Sequence, residues 1–183
     1  MSELLGYGPH GFALEVNPWQ TKDSVDAALL FRGAIVSGWA NVESTLIEVA
    51  IRASHHPEYI GHRELFPKTL KKRLAYLRDI LSLPGPLKAN SRLGHAVLKR
   101  FAASEDLRNL MAHGRMSLLP EWGATFYFFK PLSGDEIQYR TQRFTEAQMR
   151  ELAVRATRFS RAVRYLSNRL DTAELLPPLS IAE

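Results

Sequence analysis

Apolar residues recur at helical spacing in four stretches of the chain, and between the third and fourth the period shortens to that of strands. Ile35, Trp39, Val42, Leu46, Val49 and Ala53 alternate four- and three-residue steps. That spacing lays one stripe along a helix predicted from Asp23 or Ser24 to about Ser54. Glu43 sits beside the stripe, one turn beyond Trp39. A second helix, residues 67–83, turns Leu70, Leu74, Leu77 and Leu81 inward and covers its other faces with Lys68, Lys71, Lys72, Arg73 and Arg78. Pro84-Gly85-Pro86 then enforces a tight connection. A third helix, residues 87–113, presents Leu93, Val97, Phe101, Leu107 and Met111 as its core side.

After His113 the pattern reads as three strands, residues 115–119, 124–130 and 137–144, joined by turns at Pro120-Glu121-Trp122-Gly123 and Pro131-Leu132-Ser133-Gly134-Asp135. Thr125-Phe126-Tyr127-Phe128-Phe129 is the strongest β segment. Its aromatics are expected to be buried against the helices, with stacking on nucleobases as the alternative. A capping box opens the last helix: Thr145 caps, Gln148 reaches back, and Phe144 can staple onto Met149. Met149, Leu152, Ala156, Phe159, Val163, Leu166 and Leu170 continue it in heptads, a seam suited to packing within the fold or against a second copy.

The fold class that follows is mainly α: an antiparallel up-and-down four-helix bundle with a small three-stranded antiparallel meander inserted between helices three and four. Residues 1–21, rich in Gly and carrying Pro9 and Pro18, read as an N-terminal arm that Tyr7, Phe12 and Trp19 could pin in place. Residues 22–176 form a single helical domain with its β insertion at about 115–144, and residues 177–183 a C-terminal tail after Pro177 and Pro178.

Composition narrows the chemistry. The chain has 183 residues and no cysteine, which excludes disulfides, thiolate metal sites and cysteine nucleophiles. The N-terminus lacks a basic start followed by an apolar stretch, and no apolar run is long enough to span a bilayer, so a cytoplasmic protein without membrane contact is expected. The net charge of +5 is unevenly placed. Residues 1–61 carry −4, residues 62–115 carry +8 and residues 116–183 carry +1. A polyanionic partner is one reading of the central excess, and a solvated basic face is the other. His55, His56 and His62 cluster near Pro57, yet no further ligand at helical spacing completes a zinc set, so neither metal nor cofactor is expected.

The basic segment ends in Ser104-Glu105-Asp106-Leu107-Arg108-Asn109-Leu110-Met111-Ala112-His113-Gly114. The Ser-Glu-Asp start suits either a helix N-terminal turn or a polar interruption in a longer helix, and Gly114 suits the left-handed position that ends one. On an ideal helix Arg108 and His113 stand about 140° apart, so they can meet on one ligand only if the helix unwinds at Gly114 or a second chain supplies the missing side.

Arg108, Asn109 and His113 in this spacing resemble the R-x(4–6)-H signature of the HEPN superfamily, small helical proteins in which a polar residue often follows the arginine. The likeness covers residues 22–171 as architecture and those three residues as signature. It implies a metal-independent endoribonuclease acting as a homodimer, in which the 2′-hydroxyl of single-stranded RNA attacks the adjacent phosphate to leave 2′,3′-cyclic ends. His113 would move protons, Arg108 would hold the phosphate, and Asn109 would donate to phosphate or fix the tautomer of His113. A supporting role falls to Glu43, which would anchor Arg108 or orient His113, and the sequence leaves both open. Arg115, Lys71 and Lys72 would contact RNA. Such proteins serve as toxins with a separate antitoxin or as phage-defence effectors. The alternative is a non-catalytic HEPN-like module binding RNA, a nucleotide or a protein partner, and a third reading is a plain helical adaptor.

Overall fold

The computed structural model describes residues 14–15, 21–62, 66–119, 123–131 and 137–179. Tyr7, Phe12 and Trp19, most of both inter-strand turns and the last four residues of the tail lie outside them. The elements in chain order are β1 (Leu14–Glu15), α1 (Lys22–Ser54), α2 (Leu70–Ile80), a 3-10 turn (Lys88–Asn90), α3 (Ser91–Ala103), α4 (Glu105–His113), β2 (Arg115–Leu119), β3 (Gly123–Pro131), β4 (Ile137–Thr145) and α5 (Glu146–Thr172). The protein is mainly helical with a small antiparallel sheet. Among the described residues no helix is long and apolar enough to cross a membrane.

Two expectations change. Among the described residues there are five α-helices rather than four, because the predicted third helix breaks at Ser104, and the meander therefore falls between the fourth and fifth of them. The break has a local cause. The Ser104 hydroxyl donates to the carbonyl of Phe101 at 2.7 Å, its amide donates to the same oxygen at 3.1 Å, and its backbone leaves the helical region at φ −97°, ψ 2°. A short polar side chain that competes for backbone partners interrupts a helix in this way. Glu105 and Asp106 then open α4, where carboxylates favour the helix N-terminus. The second change lies in the arm, where Leu14 and Glu15 pair in parallel with Met116 and Ser117 and make the sheet four-stranded, in the order β1-β2-β3-β4.

The chain divides into two compact units. The first comprises residues 1–39 and 105–158. Its core is built from Ala28, Ile35 and Trp39 of α1, Leu110 and Met111 of α4, and Met149, Ala153 and Ala156 of α5. One sheet face completes it with Met116, Leu118, Ala124, Phe126 and Phe144. These residues are cross-strand neighbours in the antiparallel register, Met116 opposite Phe126 and Ala124 opposite Phe144. Phe126 and Phe144 meet edge-on at 5.7 Å, a geometry worth about 0.5–1.5 kcal/mol beyond area burial. The capping box forms: the Thr145 amide donates to Gln148 Oε1 at 2.9 Å and the Gln148 amide donates to Thr145 Oγ1 at 3.3 Å.

The second unit comprises residues 40–104 and 159–183. Val42, Leu46 and Ala50 of α1 share its core with Tyr76, Leu77 and Ile80 of α2, Leu98 and Phe101 of α3, and Phe159 and Val163 of α5. Gly85 takes φ +135° in the Pro-Gly-Pro turn, which lets the Leu87 amide reach the Tyr59 hydroxyl at 3.0 Å. Arg52, buried, ties down the chain after α5 by donating to the carbonyls of Pro177 and Leu176 and pairing with Asp171. Leu93, expected in the core, is 46% exposed, because α3 turns Leu98 and Phe101 inward and brings Gly94 against Leu81 instead.

Candidate functional site

All of the motif lies in the first unit, on α4. Leu110 and Met111 anchor that helix in the core, Arg108 and Asn109 are half-buried, and His113 is exposed at its C-terminal end. The helix does not unwind before its motif is complete. The Gly114 amide still donates to the carbonyl of Leu110 at 2.8 Å, the spacing of a regular α-turn. Arg108 and His113 of one chain therefore keep the separation of about 140° that helical geometry dictates.

Gly114 is needed for a different reason from the one expected. It does not adopt positive φ, which among the described residues belongs to Gly85 and Glu174. A Cβ at Gly114 would instead stand 2.3 Å from the Leu110 carbonyl oxygen, so only glycine lets the last helical hydrogen bond form while the chain passes directly into β2.

The helix end is held from beneath by a residue that no motif announced. Arg32, on α1, is 3% exposed. Its Nε donates to the carbonyl of Met111 and its Nη2 to the carbonyl of Gly114, both at 2.8 Å. The two donors belong to one edge of a planar guanidinium and so satisfy two carbonyls at once, in a rigid fork that a lysine ammonium lacks. A cation here also meets the negative end of the α4 dipole. Its carbon Cζ lies 5.5 Å from the ring centre of Phe126, within range of a cation–π contact. Burial lowers the guanidinium from its ordinary value to about 10, which leaves it charged at neutral pH. The signal for Arg32 was present in the α1 stripe: stepping back from Ile35 by three residues lands on Arg32 and by four more on Ala28, both buried. A charge on that stripe implies a buried partner.

The other site candidates divide between the units. Arg115, exposed on β2, is in the first unit with Arg108, Asn109 and His113. Half-buried Glu43 and the exposed Lys71 and Lys72 of α2 belong to the second. His55 and His56 bond locally, with His55 Nδ1 at 2.9 Å from the Ile51 carbonyl and the Glu58 amide donating to His56 Nδ1 at 3.2 Å. Among the described residues no three His, Asp or Glu side chains are grouped so as to hold a metal ion.

The strand aromatics separate by face. Phe126 is buried as expected, but Phe129 is 63% exposed and Tyr139, its cross-strand neighbour, 54% exposed. Strand propensity favours aromatics on either face, and burial here falls on Met116, Leu118, Ala124 and Phe126 while β4 is exposed from Ile137 to Arg143. Comparison with protein-family models, with characterised proteins and with solved structures returns no match to this chain.

Proposed function

We propose that this protein is a metal-independent endoribonuclease of HEPN type that acts as a homodimer on single-stranded RNA. The observation that carries the proposal is the unbroken α4 end. An exposed imidazole and a half-buried guanidinium start about 140° apart around one helix, whose C-terminal carbonyls Arg32 holds. One chain thus offers one proton-transfer group at each phosphate, and the reaction needs two. Two motif helices meeting across a twofold axis supply both.

In that cleft one His113 takes the proton from the 2′-hydroxyl as its oxygen attacks the adjacent phosphorus. The bond from phosphorus to the 5′-oxygen breaks, and the other His113 protonates the leaving oxygen. The products are a 2′,3′-cyclic phosphate and a 5′-hydroxyl. Arg108 faces the pentavalent phosphorane with a planar fork of donors. Asn109 donates to phosphate or holds one imidazole tautomer. Arg115 adds a contact to the RNA backbone. A cytoplasmic toxin or phage-defence effector with a separate neutralising partner is the biological setting this chemistry suits.

The test is incubation of the purified protein with a long RNA in EDTA, read on denaturing and native gels. Cleavage is expected. Retardation without cleavage would replace the nuclease with a binding module, and neither effect would leave a helical adaptor.

A further inference from the structure

The outer face of the sheet carries a second set of residues that the motif does not explain. Register places Arg115, Tyr127 and Thr141 in one row across β2, β3 and β4, with Phe129 opposite Tyr139 in the next row toward one end and Arg143 opposite Thr125 in the next row toward the other. Tyr139 stacks on Tyr127 with ring centres 6.2 Å apart and planes 23° from parallel, and lies 5.1 Å from Phe129. Arg115, Thr141 and Arg143 are exposed like Phe129 and Tyr139, and Tyr127 is half-exposed. Glu15, the acidic residue in these register rows, opposes Ser117 on β1, at the far edge of the sheet from Arg143.

We infer that this face is a single-stranded RNA platform, on which bases stack against Tyr139 and Phe129 while Arg115 and Arg143, in the two rows beyond those rings toward one end of the sheet, hold the phosphates. Phe129 and Tyr139 leave large apolar area in water at one end of this face, a surface that a ligand with flat apolar faces covers. The guanidinium groups of Arg115 and Arg143, in the next two rows, favour a ligand that also carries phosphate. A polynucleotide has both features, and only an unpaired strand can turn its bases onto the rings. The inference rests on RNA being the substrate proposed above. Arg115 follows His113 by two residues, so a strand lying on the platform runs toward the motif.

The experiment uses a fluorescent 2′-O-methyl oligouridylate, which cannot be cut by 2′-oxygen attack, titrated with full-length protein in EDTA and followed by anisotropy. Tyr139→Ala should weaken binding about tenfold, as loss of one stacked base does, while Tyr139→Phe, which keeps the ring, should bind as the original protein does. Replacing Arg143 by Gln should flatten the slope of log affinity against log salt by about 0.7. Thermal melts of each variant confirm that the exposed positions leave the fold intact. Equal affinity of Tyr139→Ala and the original protein would overturn the platform, as would failure of the original protein to bind. A Tyr139→Ala variant that binds normally but changes from dimer to monomer in sedimentation would also overturn it and reassign the face to a second copy of the chain. Because the probe resists cleavage, binding without hydrolysis of ordinary RNA removes the nuclease and keeps the platform, and hydrolysis with unaltered Tyr139→Ala binding does the reverse.

Discussion

Arg32→Met tests whether the buried guanidinium pins the end of α4. Methionine fills much of the same volume but offers no donor, so the carbonyls of Met111 and Gly114 lose their bonds in a region where both residues are buried. Hydrogen bonds to a charged group contribute about 1.5–3 kcal/mol each. The lower value applies to both, because the variant also relieves the desolvation that lowers the guanidinium to about 10. The expected loss is about 3 kcal/mol, which with an urea dependence near 2.5 kcal/mol/M moves the unfolding midpoint down by about 1.2 M. Arg32→Lys keeps the charge but not the fork and should lose about half as much. The folded-state value lies below that of the unfolded chain, so the group gains stability for the fold only as pH climbs above about 10. Between about pH 5 and about pH 9 the deficit of Arg32→Met should therefore be constant. Urea titrations followed by circular dichroism at both ends of that range are the assay. A midpoint within about 0.2 M of the original would refute the pinning role.

Gly114→Ala puts a methyl group into the space 2.3 Å from the Leu110 oxygen and should cost about 2 kcal/mol or more by urea unfolding. Thr125 is 1% exposed and its Oγ1 has no hydrogen-bond partner, so Thr125→Val should raise stability by about 1 kcal/mol, seen as a higher melting temperature. Thr145→Ala removes one half of the capping box and should cost about 1 kcal/mol in the same melt.

What could be read from the chain was whatever local chemistry decides. The reciprocal bonds of Thr145 and Gln148 appear as the capping box requires, because both partners lie within one turn. The α1 stripe survives for the same reason, with Ile35, Trp39, Val42, Leu46 and Ala53 all buried. Errors arose where distant groups decide. Nothing near Leu14 and Glu15 announces a two-residue strand whose partners are about a hundred residues away. Arg32 finds carbonyls 79 and 82 residues along the chain, and no spacing rule encodes such a pair. Alternation identified β3 as a strand but not which of its faces would be covered, so Phe126 and Phe129 were expected to share a fate that they do not share. Ser104 shows the finest margin. One hydroxyl competing for the Phe101 carbonyl turns a long helix into two and gives the motif a helix of its own.

For the site itself, sequence spacing named the residues that the fold displays at the end of α4, and helical geometry turned their separation into an argument for two chains. The most direct measurement of that central claim is the end chemistry of RNA cut in EDTA by the original protein beside His113→Ala. The account predicts fragments ending in 2′,3′-cyclic phosphate and 5′-hydroxyl from the original protein, and a loss of at least about a hundredfold in rate for the variant with an unchanged melting temperature. Equal cleavage by both proteins, or 3′-hydroxyl and 5′-phosphate ends, would contradict it.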